Sequence, residues 1–378
     1  MKHYHYIFTG SGLSALMTVY RMVQSGNFDG KEILLIDTSA KEKNDRTWCF
    51  WEEGQGEWDD IVYRQWYNAL FADADFRKKM PLLPYSYKMI RGADFYSYIK
   101  GILKNHSTIT MVQQNVLDFV DTPGHILVKT DAASYTCNKL INSIYKPEIV
   151  KKSKYQVIQQ HFIGWFVKTE KPLFDAGTVT FMDFTVPQKG NTRFMYVLPL
   201  SPTEALVEYT LFSPDLLEQK DYENAIKDYL NAMGATDYII TEKEQGSIPM
   251  TSYPFWENNS KNILHIGSAG GWTKASTGYT FKNTVKKSKQ LVDFLQHEND
   301  FTKFHKKNRF WYYDLLLLDI LYRKNEKGSE IFGAMFRNAS PQLIFKFLDE
   351  ETTFQEELKV IAACPTGLFL KALGKRLF

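Results

Sequence analysis

Cysteine is scarce in this chain: Cys49, Cys137 and Cys364 are its three in 378 residues. So few, and so scattered, they make neither a disulfide framework nor a metal site, and they fit a reducing compartment. An excess of charge of either sign is also lacking. Lys and Arg number 46 against 43 Asp and Glu, a net +3, which gives no reason to expect nucleic acid as a partner. No run of about 18 uncharged apolar residues occurs, so no transmembrane helix is expected. The most apolar stretch, 310–320, is short and carries Asp314 and Asp319. The N-terminus runs straight into a strand-like segment, and no signal peptide is expected.

What the chain does have is length for two or three structural units and a wealth of large aromatics: 27 Phe, 22 Tyr and 8 Trp. Such a composition suits a large flat or extended apolar ligand, and an ordinary core absorbs aromatics too. At the N-terminus, residues 3–9 read as a buried strand that enters Gly10-Ser11-Gly12-Leu-Ser-Ala15. A helix follows, with Leu13, Leu16, Met17, Tyr20 and Val23 at helical spacing. The next strand, 32–37, ends in Asp37, an acid about 20 residues past the glycines as the dinucleotide fingerprint requires. Gly10 permits the tight turn, Gly12 lets a pyrophosphate approach the backbone, and Ala15 lets helix and strand pack closely. Asp37 is then placed for ribose hydroxyls.

A second glycine-rich turn, Gly267-Ser-Ala269-Gly270-Gly271, follows another strand far downstream. It continues through Thr277-Gly278-Tyr279 into an expected helix starting near Thr277, whose positive end favours an anionic group. Two phosphate-friendly turns at opposite ends of a chain suit FAD as the resident cofactor better than NAD; a plain strand-to-helix loop is the bland alternative. Residues 43–51, with Arg46 among tryptophans, read either as a cover for the cofactor or as a surface loop.

The boundaries read from the sequence are a discontinuous cofactor domain (1–70, 85–150 and 258–297), a substrate domain (71–84 and 151–257) and a helical region, 298–378. Residues 71–84, broken by Pro81 and Pro84, read as a crossing between domains. Strands at 159–169, 178–184, 193–200 and 205–212 suggest an antiparallel sheet, followed by a helix that Gly234 ends. In the strand 205–212, Leu206, Glu208, Thr210 and Phe212 share one face. An acid between Leu206 and Phe212 is either solvent-facing on an edge strand or buried, where it stays protonated and can act as a general acid. The last helix, 368–378, is amphipathic and reads equally as a membrane-surface helix or a core-packed one.

With these residues in view, the chain resembles the flavin-dependent lycopene cyclases of the β-cyclase type. The resemblance rests on 10–15, on Asp45-Arg46-Thr-Trp-Cys-Phe-Trp51, on 85–91, 160–165, 179–183, 193–199 and 206–210, and on 266–279. Within the family's Phe-Leu-Glu-Glu-Thr-like motif the first acid matches Glu208, and Tyr209 replaces the second; Lys274-Ala275 stand where many members have His-Pro. The resemblance implies an α/β fold like the aromatic hydroxylases: an FAD-binding Rossmann-like domain, an antiparallel-sheet substrate domain and a helical C-terminus. It further implies non-covalent FAD, active when reduced, with NAD(P)H as reductant. The cofactor would be held by Gly10, Ser11, Gly12, Ala15, Asp37, Arg46, Gly267, Ala269, Gly270, Thr277, Gly278 and Tyr279. The implied reaction cyclises the ψ ends of lycopene to β-rings without net redox, with Glu208 as the acid and no metal. Lycopene lies in the bilayer, so docking on the cytoplasmic side of a membrane, as a peripheral protein, is implied too. Asp183 and Tyr209 are open as companions of Glu208. The rival readings are a flavin monooxygenase or polyprenyl reductase on the same fold, or a non-catalytic carotenoid- or lipid-binding flavoprotein. Ser268, following Gly267 where many hydroxylases carry an acid, counts against a hydroxylase.

Overall fold

A computed structural model describes residues 1–377. Its N-terminal sheet has seven strands. The parallel part runs Ile109–Gln113, Ile33–Asp37, Lys2–Thr9 and Ser134–Asn142, with Ile263–His265 beside the end of the last; His125–Thr130 and Val116–Thr122 extend it antiparallel. The helices Leu13–Ser25 and Phe281–His297 lie side by side against it and share one core. Ser14 and Thr284 hydroxyls meet at 3.3 Å, and Arg21 Nε donates to Ser288 Oγ at 2.8 Å.

The second seven-stranded sheet runs in the order Tyr238–Met250, Ile158–Thr169, Glu204–Ser213, Thr192–Pro199, Thr178–Asp183, Asn68–Ala72, Arg77–Pro81. Both of its faces are covered. Helix Gln219–Ala232 lays Tyr222, Ile226 and Leu230 on the face that carries Val207, Tyr209 and Leu211. On the opposite face, helices Phe310–Arg323, Gly328–Asn338, Pro341–Leu348, Phe354–Ala363 and Thr366–Leu377 cover Leu206 and Phe212 with Leu318, Phe332, Phe336 and Ile344. A small sheet of Thr47–Glu53, Tyr85–Arg91 and Arg64–Trp66 joins the two large ones. Trp51 from it stacks on Phe345 with ring centres 4.6 Å apart. The expected architecture, α/β with a largely antiparallel second sheet and a helical C-terminus, is the observed one; in the second sheet one pair, Thr178–Asp183 with Asn68–Ala72, is parallel.

Several local readings change. Residues 71–84 are not a bare crossing: a hairpin, Asn68–Ala72 and Arg77–Pro81, edges the second sheet. Pro81 is tolerated because it ends the outermost strand, where no ladder partner needs its missing N–H. The stretch Tyr238–Met250 is a long strand, although the sequence marks only its last residues. The downstream helix begins at Phe281, not near Thr277. Residues 273–280 instead form an irregular loop in which Thr277 N and Gly278 N both donate to Lys274 O. Gly278, at φ +75°, has a left-handed conformation that helical residues avoid.

Candidate active site

One cavity of about 870 Å³ runs from the N-terminal glycine turn, past the covered face of the second sheet, to the C-terminal helices. Its cradle end shows the physics expected of a dinucleotide site. Gly10 (φ +90°) turns the chain so tightly that a Cβ would stand 2.2 Å from Ser143 Oγ. Gly12 caps the helix without a side-chain partner, and a Cβ there would meet nothing within 4 Å. The first helical N–H groups therefore face open space, which a phosphate can occupy. At the other turn, Gly278 lies so close to Gln160 that a Cβ would fall 1.9 Å from its Oε1. That oxygen is buried and has no hydrogen-bond partner. An open, donor-rich helix end, a left-handed loop and an orphaned polar atom on one long cavity fit a flavin dinucleotide.

Of the residues proposed for the cofactor, the cavity wall holds Gly12, Arg46, Gly267, Thr277, Gly278 and Tyr279. Gly10, Ser11, Ala15, Asp37, Ala269 and Gly270 stand behind it. Asp37 accepts from Ser11 N at 2.7 Å and Ser39 N at 2.8 Å, so it braces the turn. Ala15 is fully buried in the helix–strand contact. Gly270 allows close backbone approach, since a Cβ would sit 2.1 Å from His265 O. Arg46 is exposed and donates to Asp45 O at 2.6 Å.

Glu208 points into the middle of the cavity and is 7% exposed. Its strand is central in the sheet, paired on one side with Ile158–Thr169 and on the other with Thr192–Pro199. The edge-strand explanation for this acid therefore does not hold. Around it the wall is apolar, with Leu206, Phe212, Phe194 and Phe181 nearby on the sheet. Among the described residues, the only hydroxyl bonded to it is that of Thr210. Burial, and then the charge of Glu244, push its pKa up to about 8.

Glu244 is the residue that sequence reasoning missed. Gly164, on the strand between them, pairs with Glu208 on one side and Glu244 on the other. Glu244 lines the same cavity and accepts from Thr47 Oγ1 at 2.6 Å. Burial pushes its pKa up to about 7; the Thr47 bond opposes this, Glu242 adds to it, and Arg46 and Arg91 oppose it. Its signal is faint: in Thr241-Glu-Lys-Glu-Gln-Gly246 both faces of the strand are polar, so no apolar alternation marks it.

Opposite Glu208 on its other side is Tyr196, whose hydroxyl begins a chain to Tyr87 (2.7 Å) and on to Tyr279 (2.8 Å). Burial raises all three phenol pKa values, so the chain is neutral. Neither open companion joins the site. Asp183 accepts from Thr185 and Tyr229, and Tyr209 lies on the far face with Arg193 Nη1 at 3.1 Å. Among the described residues no cluster able to hold a metal ion occurs.

The fold is one that flavin-dependent proteins of known structure share. Over 99% of both chains it superposes on a flavin-dependent brominase at TM-score 0.59 and 13% identity. Over 98% of both chains it superposes on a geranylgeranyl bacteriochlorophyll reductase-like protein from Thermoplasma acidophilum at TM-score 0.61 and 10% identity. At these identities the likeness concerns the fold. The chain belongs to the lycopene cyclase protein family, whose model matches residues 6–373. A lycopene beta-cyclase from Pantoea ananas is 24% identical over 304 residues, 76% of this chain and 74% of that protein.

Proposed function

We propose that this chain is a lycopene β-cyclase that binds FAD and converts the ψ ends of lycopene, or a related acyclic carotenoid, to β-rings by acid–base chemistry. The observation that carries the reading is a buried carboxyl, Glu208, on the wall of a cavity that reaches the dinucleotide cradle. Family membership supports it. Glu208 donates its proton to the terminal double bond of the substrate. The chain then closes on itself, and loss of a ring proton leaves an isomer. Leu206, Phe212 and Phe194 exclude water, and aromatic faces contribute about 0.5–2 kcal/mol each to a passing cation. Reduced FAD in the cradle would supply an electron-rich plane beside that cation, with NAD(P)H as its source of electrons.

Docking of the protein on the cytoplasmic face of a membrane belongs to the same proposal. Among the described residues no helix is long and apolar enough to cross a membrane. Leu358, Leu370 and Leu373 are exposed beside Lys359, Lys371 and Lys375 on the last two helices, and Leu370 and Leu373 also line the cavity. Apolar side chains ringed by lysines suit an anionic lipid surface.

Anaerobic reaction with lycopene, FAD and NAD(P)H tests the reading. A product of unchanged mass is expected. A product heavier by two hydrogens or by an oxygen would make the chain a reductase or a monooxygenase.

A further inference from the structure

The cyclisation proposed above needs a proton given and a proton taken, and the cavity wall carries two carboxyl groups. Glu208 and Glu244 stand on strands that flank Ile158–Thr169, a separation of roughly 10 Å between backbones. What lies between them on that face is Gly164. A Cβ there would be 2.9 Å from Leu206 Cδ1, 3.3 Å from Glu244 Cγ and 3.5 Å from Glu208 Cβ, so both acids and Leu206 close over the glycine, and the missing side chain lets the two acids approach across it. Each acid has one hydroxyl donor, Thr210 for Glu208 and Thr47 for Glu244. Among the described residues no further hydrogen bond engages either carboxyl. Among the described residues no Lys or Arg forms an ion pair with either one, whereas Glu242, next but one along the strand, is paired with Arg91.

We infer that Glu244 is the second carboxyl of the reaction, exchanging one proton with Glu208 across Gly164. The inference rests on the cyclase reading. At the start Glu208 is protonated and Glu244 is a carboxylate. The Glu208 O–H bond breaks as a C–H bond forms on the substrate's terminal alkene. The next alkene supplies the pair for the ring bond. A ring C–H bond then breaks, its electron pair forms the ring double bond, and its proton passes to Glu244. Return of that proton from Glu244 to Glu208 restores both groups, with no electrons gained or lost.

The other groups facing the pair leave this assignment standing. Arg46 and Arg91 approach Glu244 and favour its charged form; Glu242 opposes them. Cys49, Tyr196 and Tyr279 face Glu208 with raised pKa values and are neutral. From the covering helices, Asp314 reaches the wall but is paired with Lys274, and Tyr313 and Cys364 add no charge.

The test is Glu244→Gln, read in two ways. Turnover of lycopene is expected to fall by about 100-fold or more, with ring isomers of displaced double bond in the residual product. Infrared titration of the buried carboxyl, without substrate, is expected to show Glu208 losing its proton at lower pH once its neighbour's charge is gone. Turnover within threefold of the parent, one unchanged ring type and an unmoved Glu208 titration would overturn the inference. If the parent itself yields a product of changed mass, the cyclase reading fails, while the substrate-free titration still judges the pair. Should Glu244→Gln not fold, Thr47→Val decides. Loss of that donor is expected to move the Glu244 titration to higher pH and that of Glu208 to lower pH. Two unmoved titrations would sink the pairing.

Discussion

Two clusters of buried charge-bearing residues sit on the covered side of this molecule, and they are built on opposite rules. In one, Lys274 is 5% exposed and meets Asp314 at 3.0 Å and Glu350 at 2.9 Å. Burial works against its charge, yet the two acids outweigh burial and raise its pKa. In the other, Glu208 and Glu244 face each other with no cation paired to either, and both pKa values rise. The first cluster compensates its charges and ties the 273–280 loop to helix Phe310–Arg323 and to Glu350. The second keeps a proton where an apolar wall gives it nothing else to neutralise it. Compensated charge here serves architecture; uncompensated charge, on the proposed function, serves chemistry.

The contrast can be broken by exchanging expectations between the clusters. Glu208→Gln is expected to lower turnover by about 100- to 10,000-fold, with FAD still bound and the melting temperature little changed. Retained turnover in that variant would remove the chemical half of the contrast. Lys274→Met is expected to destabilise by about 3–5 kcal/mol, because Asp314 is left buried and unpaired. Adding Asp314→Leu should recover most of that loss in a denaturant titration. A stable single variant would remove the architectural half. Gly10→Ala lies outside both clusters and sets a scale. Strain at φ +90° and the clash with Ser143 are expected to cost roughly 1–3 kcal/mol and to weaken FAD binding, measured by flavin fluorescence.

The dependence of stability on pH sharpens the same contrast. The folded-state pKa of Glu208, about 8, lies above the ordinary 4.5. Its stabilising contribution is therefore full below the lower value and is lost as the pH rises through the higher one. Melting curves across that window should fall more steeply for the parent than for Glu208→Gln; parallel curves would show that the carboxyl is not held neutral by folding.

Much of this was legible in the chain itself. The glycine turns, Asp37 and the strand with Glu208 are local patterns, and period-two alternation placed Leu206, Glu208 and Phe212 on one face. Whether that face looked to water or to an interior was not legible, because a central and an edge strand alternate alike; only the strand order decides. Glu244 was hidden for a different reason, since its strand has no apolar side to betray it. The ion cluster of Lys274 joins residues 40 and 76 positions apart in the chain, a separation no window of sequence pattern spans. The late start of the Phe281–His297 helix follows from Gly278, whose left-handed backbone forbids an earlier one.

One consequence follows from the central place of the Glu204–Ser213 strand. Laddered on both edges and covered on both faces, it belongs among the last segments to open, and its amides should exchange with solvent among the slowest in the protein. Glu208, the proposed proton donor, is thus riveted to the stiffest plank of the molecule. On the proposed function, a long, stiff carotenoid would be threaded to it beneath the C-terminal helices that line the cavity.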